Sequence, residues 1–122
     1  SNLEKAVELS PDVNNAGPYR VLGMLYLMAP PWPQGIGDGD KSLELLQEAV
    51  MRFPEYPKNR IFYAQALWEL EGEDRKQEVI EHLEEALRLM NQEKWRTVRG
   101  RWMNDLIYVS QEAHIELSVA KK

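Results

Sequence analysis

The 122-residue chain contains no cysteine. That absence excludes disulfide staples, thiol catalysis and cysteine-ligated zinc, and it suits a cytoplasmic or a periplasmic protein equally well. Basic residues are outnumbered, 15 Lys and Arg against 20 Asp and Glu, and the net charge of −5 argues against a nucleic-acid binder. Charge is missing from Val21 to Gly37, but prolines at 30, 31 and 33 interrupt that stretch, leaving an apolar core too short to span a membrane. Serines 10, 42, 110 and 118 lack a G-x-S-x-G setting, and paired acids such as Glu84-Glu85 suit a solvated helix face. With no nucleophile set beside a base, the chain reads as a non-enzyme without a cofactor.

What is present is ordinary globular material: hydrophobic residues at 43% and charged residues at 29%. A chain of this length buries roughly two-thirds of its unfolded surface. Residues 1–122 are therefore expected to form a single domain. Ser1-Asn2 reads as a cloning remnant, and Leu3 starts a helical pattern with no cap before it, so the domain is expected to be a fragment of a longer chain. In such a piece the lack of a signal-peptide pattern excludes nothing.

Three stretches resemble one another: LEKAVELSP at 3–11, LQEAVMRFP at 46–54 and LEEALRLMN at 83–91. Each sets a leucine three residues before an alanine and ends on a helix stop, proline twice and asparagine once. Ala6, Ala49 and Ala86 stand 43 and 37 residues apart, a period typical of solenoids, whose units bury their apolar faces on each other. The segments between also match. Both GPYRVLGMLYLMA at 17–29 and PKNRIFYAQALWELE at 57–71 place proline in the first turn, and Ala64 stands where Gly23 does. A small residue there lets a neighbouring helix approach closely. Trp95, Val98, Trp102, Leu106, Val109, Ala113 and Leu117 recur every three or four positions. The pattern predicts helices over 3–9, 17–29, 40–53, 57–71, 75–90 and 93–119, with no strand: an all-α chain.

Tyr19, Leu22, Gly23 and Tyr26 reproduce most of W-x2-L-G-x2-Y, and Ser42, Leu46, Ala49 and Pro54 follow the second-helix pattern. A second unit runs through Arg60, Tyr63, Ala64 and Leu67, then Val79, Leu83 and Ala86; Trp95, Val98, Arg99 and Trp102 offer a third opening. The chain thus resembles the tetratricopeptide repeat (TPR) family, with Leu3–Pro11 as the tail of an upstream unit. The spacings exceed the repeat of about 34 residues, chiefly in the loop APPWPQGIGDGDK at 29–41. GPYRVLGMLYLMAPPWPQGIGD followed by KSLELLQEAVMRFPEYPKN is more specifically similar to the TPR-like T component associated with tripartite ATP-independent periplasmic (TRAP) transporters.

That resemblance implies antiparallel helix pairs in a short TPR-like α-solenoid with a long C-terminal helix. It also implies a bacterial, periplasmic or periplasmically anchored parent (cytoplasmic is the alternative) working beside a solute-binding protein. First helices line a concave groove in this family, which carries over to Arg20, Met24, Leu27, Met28, Lys58, Ile61, Gln65 and Trp68, with Trp32 as a lid or rim. The same residues also suit a core covered by the last helix. A closed pocket of Met24, Met28 and Trp68 would instead carry a small apolar ligand.

Other motifs read as structure. Gly35-Ile36-Gly37-Asp38-Gly39 lacks the preceding strand and the lysine-hydroxyl register of a phosphate loop. Asp38, Asp40, Ser42 and Glu44 alternate like calcium ligands, yet Leu43 and Ala49 stand where glycine and glutamate belong, so Asp38 or Asp40 is expected to cap a helix. His82, near Glu78 and Glu85, and His114, after Gln111, complete no di-iron motif and suit surface salt bridges. In KWRTVRGRW at 94–102 the tryptophans and Val98 share one face and the basic residues the other, as on a packed helix; an anionic partner on the basic side is the alternative.

Overall fold

The computed structural model describes residues 4–5 and 13–117. The helix expected over 3–9 therefore lies outside the described residues, apart from Glu4 and Lys5. Everything regular among the described residues is helical: α1 Val13–Met28, α2 Gly39–Arg52, α3 Pro57–Glu71, a 3-10 turn Gly72–Arg75, α4 Lys76–Met90, a 3-10 turn Glu93–Trp95, and α5 Arg99–Glu112. The only pairing of strand type is an isolated bridge between Pro31 and Gly37, so the chain is all-α over these residues.

Local chemistry sets the ends. α1 enters through three left-handed residues, Asn14, Asn15 and Ala16, with φ of 51°, 57° and 67°. Asparagine tolerates that region because its short amide can bond locally. Pro18 then sits in the first right-handed turn, where its missing N–H costs nothing. The prolines stop α1, and the loop closes on its own backbone, Gly35 N–H donating to Pro31 O at 3.1 Å and Gly37 N–H to Pro30 O at 2.8 Å. A Cβ on Gly37 would press on the carbonyl oxygens of Ala29 and Pro30, so only glycine fits. Asp38 caps α2: its Oδ1 accepts from Lys41 N–H at 3.1 Å, while Asp40 lies in the first turn beside the helix's positive end.

Several boundaries depart from the expected pattern, α1 and α2 spanning Val13–Met28 and Gly39–Arg52 in place of 17–29 and 40–53. The helix expected from 75 begins one residue later, after the 3-10 turn. The long helix expected over 93–119 is broken into the 3-10 turn at 93–95 and α5. The Arg99 side chain folds back to donate to Met90 O at 2.6 Å and Gln92 O at 3.0 Å, tying the start of α5 to the end of α4 and its following turn, where the periodicity suggested one continuous helix. At the far end His114 takes φ 55°, its N–H donates to Gln111 O at 3.2 Å, and Ile115 N–H donates to Ser110 O at 2.8 Å. These are the two bonds of a Schellman stop, with histidine in the seat usually held by glycine.

α1 packs chiefly on α2 and α3 on α4; α2 also meets α3, and α5 lies against α3 and α4. The core runs through Leu46, Ile61, Leu67, Leu83, Met90 and Leu106. The positions aligned on the repeat pattern are buried almost throughout, including Leu22, Tyr26, Ala49, Ala64, Val79 and Ala86. Gly23 shows why small residues recur: a Cβ there would stand 2.7 Å from Leu46 Cγ, so bare backbone is what lets α1 reach α2. Ser42 fills another small-residue position, but its hydroxyl is buried with no hydrogen-bond partner. Replacing it with alanine removes an unmet polar group and raises helix propensity. Ser42→Ala is expected to stabilise the fold by about 1 kcal/mol in urea unfolding, and a loss of stability would contradict this account.

Candidate interaction surface

The expected groove residues divide by depth. Arg20 is only 7% exposed and Ile61 is fully buried in the core, so neither lines a surface. Met24, Leu27, Lys58, Gln65 and Trp68 are half-buried, and Met28 is 66% exposed.

Arg20 is placed by a polar network that sequence patterns did not indicate. Its NH1 donates to Asn59 Oδ1 at 2.8 Å and to Asn15 O at 3.1 Å, and its guanidinium lies 5.0 Å above the Tyr56 ring. Asn59, itself fully buried, donates through Nδ2 to Asn15 O at 3.1 Å, Ala49 O at 3.2 Å and Phe53 O at 3.4 Å. One asparagine in the first turn of α3 thus holds the entry of α1 and the last turn of α2. Burial pushes the Arg20 pKa down and the Tyr56 hydroxyl partly offsets it; an arginine still stays charged. No carboxylate meets it among the described residues, so neutral oxygens and one aromatic face carry its stabilisation.

Arg20, Leu22, Gly23 and Tyr26 are buried, and one flank of α1 between them faces out. Val21, Leu25 and Met28, spaced by four and three, form one exposed stripe without charge; Val21 is 49% and Leu25 38% exposed. The stripe leads into the loop with Ile36 and with Trp32, which is 82% exposed. Trp32 therefore does not pack back as a lid: the loop fastens itself through backbone bonds and leaves the indole in solvent.

The remaining motifs find structural places. Trp95 and Trp102 meet at 5.2 Å and both present edges to Tyr56, at 5.5 and 5.3 Å, although they sit on separate elements and not on one continuous helix. Of the basic residues around them, Arg99 is spent on carbonyls and Arg96 pairs with Glu93 at 2.6 Å. His82 is not a surface salt-bridge partner. It is half-buried, its Nδ1 accepts from Arg60 NH1 at 3.0 Å, and the Tyr63 ring lies edge-on at 5.1 Å. Two clefts open beside these elements. One, of about 400 Å³, lies at Arg52, Phe53, Tyr56, Lys94 and Trp95. The other, of about 530 Å³, lies between α3 and α5 and takes in Gln65 and Trp68.

Fold and surface together define an all-helical domain braced by a buried polar lock, with an uncharged apolar stripe on its first helix. No protein-family model matches the chain, and no curated protein does either. A buried Arg-Asn pair leaves no periodic trace, which is why the lock was missed. The proline-loop composition pointed to the stripe's neighbourhood, but the exposure of Val21 and Leu25 follows only from which sides of α1 are buried through Arg20, Leu22, Gly23 and Tyr26.

Asn59→Ala is expected to cost about 2–4 kcal/mol in chemical denaturation, because it takes an acceptor from a buried guanidinium and one donor from each of three carbonyls. Adding Arg20→Met should recover part of that loss, and strict additivity of the two changes would refute the lock.

Burial, followed by the Arg60 charge, pushes the His82 pKa down from 6.5. The unfolded chain then binds the proton more readily, so stability is complete above pH 6.5 and falls as pH drops through the lowered folded value. Glu78 and Glu85, whose pKa values are pulled below 4.5 by bonds from Arg75 and Arg88, lose their contribution only at lower pH. His82→Gln should flatten the stability profile just below pH 6.5, as read by urea midpoints; an unchanged slope contradicts the burial account.

Proposed function

We propose that the chain is a non-catalytic protein-interaction scaffold of TPR-like architecture, presenting a partly apolar face to a protein partner. The carrying observation is the exposed uncharged stripe of Val21, Leu25 and Met28, continued by Trp32 and Ile36. Exposed apolar side chains concentrated in one stretch of chain are costly in water and suit a surface that a partner covers. Methionine at its centre adapts to varied partner shapes. The solenoid architecture is supported by the association of α1 with α2 and of α3 with α4, and by the small buried residues Gly23 and Ala64 at matching places.

In its specific form the proposal is a periplasmic accessory of TRAP-type solute uptake, with a solute-binding protein as partner; the loop and repeat residues at 17–38 and 41–59 carry that reading. The alternative, a carrier of a small apolar ligand, is less well supported. Trp68 shares its cleft with Glu69 and Glu112 instead of Met24 and Met28, and two carboxylates suit an apolar ligand poorly.

The test is calorimetric titration with a TRAP-type solute-binding protein from the same source. Leu25→Glu with Met28→Glu, both on the exposed stripe, should weaken binding at least about tenfold, with circular dichroism and melting temperature unchanged. Full affinity in that variant removes the stripe from the interface. No binding by the unaltered chain removes this partner.

A further inference from the structure

We propose that the cleft between α3 and α5 is a binding site for an organic cation, a guanidinium or an alkylammonium group. Its volume of about 530 Å³ lies in the range of small-ligand sites. α3 contributes Gln65, Trp68 and Glu69, and α5 contributes Tyr108, Val109 and Glu112. Each helix therefore brings one aromatic ring, one carboxylate and one further side chain to the same space.

This composition selects one sign of charge. Aromatic faces carry negative quadrupole density and carboxylates a full negative charge, so both attract a cation and repel an anion. Among the described residues no lysine or arginine lines the cleft. The cation beside it, Lys76, has its Nζ 5.8 Å from the Trp68 ring centroid and 3.9 Å from Glu73, so it uses one face of Trp68 while held by its own carboxylate. Gln65 Nε2 donates to Glu69 Oε2 at 3.0 Å, steadying one carboxylate at the cleft wall. Val109 is buried and supplies an apolar surface. A cation on an apolar stem, with charge toward the glutamates and carbon against the rings, meets each of these groups. The inference goes beyond the scaffold reading and does not depend on it, because the stripe on α1 takes no part.

Two-dimensional ¹H–¹⁵N spectra of the full chain test it, with the Trp68 indole signal assigned through Trp68→Phe. Tetramethylammonium chloride and N-acetylarginine methylamide should each shift that signal and the amides of Glu69, Tyr108 and Glu112 in a saturable way. Sodium chloride at matched ionic strength should not. Glu69→Gln with Glu112→Gln, both at exposed positions, should weaken binding about tenfold and leave the rest of the spectrum in place. A Gly-Gly-Arg-Gly-Gly peptide binding more tightly than N-acetylarginine methylamide identifies the natural cation as a basic side chain of a protein. Tetramethylammonium binding more tightly than either identifies a free quaternary ammonium. Shifts no different from those in sodium chloride, or undiminished binding by the double variant, overturn the proposal.

Discussion

The hydrogen bond from Arg20 to Asn59 is the constraint on which the arrangement rests. A guanidinium taken out of water must find oxygens to replace its hydration, and here they come from Asn59 Oδ1 and the carbonyl of Asn15. Asn59 spends its own amide on carbonyls of the α1 entry and the end of α2. Three chain segments are therefore joined at one point where each polar atom satisfies another. Such a network resists rearrangement, because a shift of Asn59 weakens several buried hydrogen bonds at once.

Other features follow from that point. Tyr56, just before α3, receives the Arg20 charge on its ring and also takes the edges of Trp95 and Trp102. The start of α5 is thereby referenced to the same junction as α1, which carries α5 over α3 and opens the cleft at Trp68 and Tyr108. The lock also sets the rotation of α1. With Arg20 on one side and Leu22 and Tyr26 on another turned inward, helical geometry leaves the flank of Val21, Leu25 and Met28 outward.

Much of the fold was legible residue by residue. Proline after Phe53, asparagine after Met90, Asp38 before α2 and Pro57 opening α3 are local signals, and local backbone chemistry honours them. The recurring leucines and alanines marked buried positions because burial favours one helix face at a regular interval. The break between Glu93–Trp95 and α5 was not legible. Trp95, Val98 and Trp102 all pack on the core, and near-helical turn residues join the 3-10 turn to α5, so their spacing imitates one helix. The stop at His114 was hidden because histidine seldom takes the left-handed seat.

The surface divides in the same way. From its residues alone the chain is all-α, free of cysteine and too short in apolar runs to span a membrane within this stretch, since composition and periodicity act over a few neighbours. Which side of α1 meets water, whether Arg20 lines a groove or anchors a core, and which aromatic and acidic residues share a cleft were decided only by tertiary structure. Those properties depend on partners 39 residues or more away, as Arg20 and Asn59 show, and no local preference encodes them.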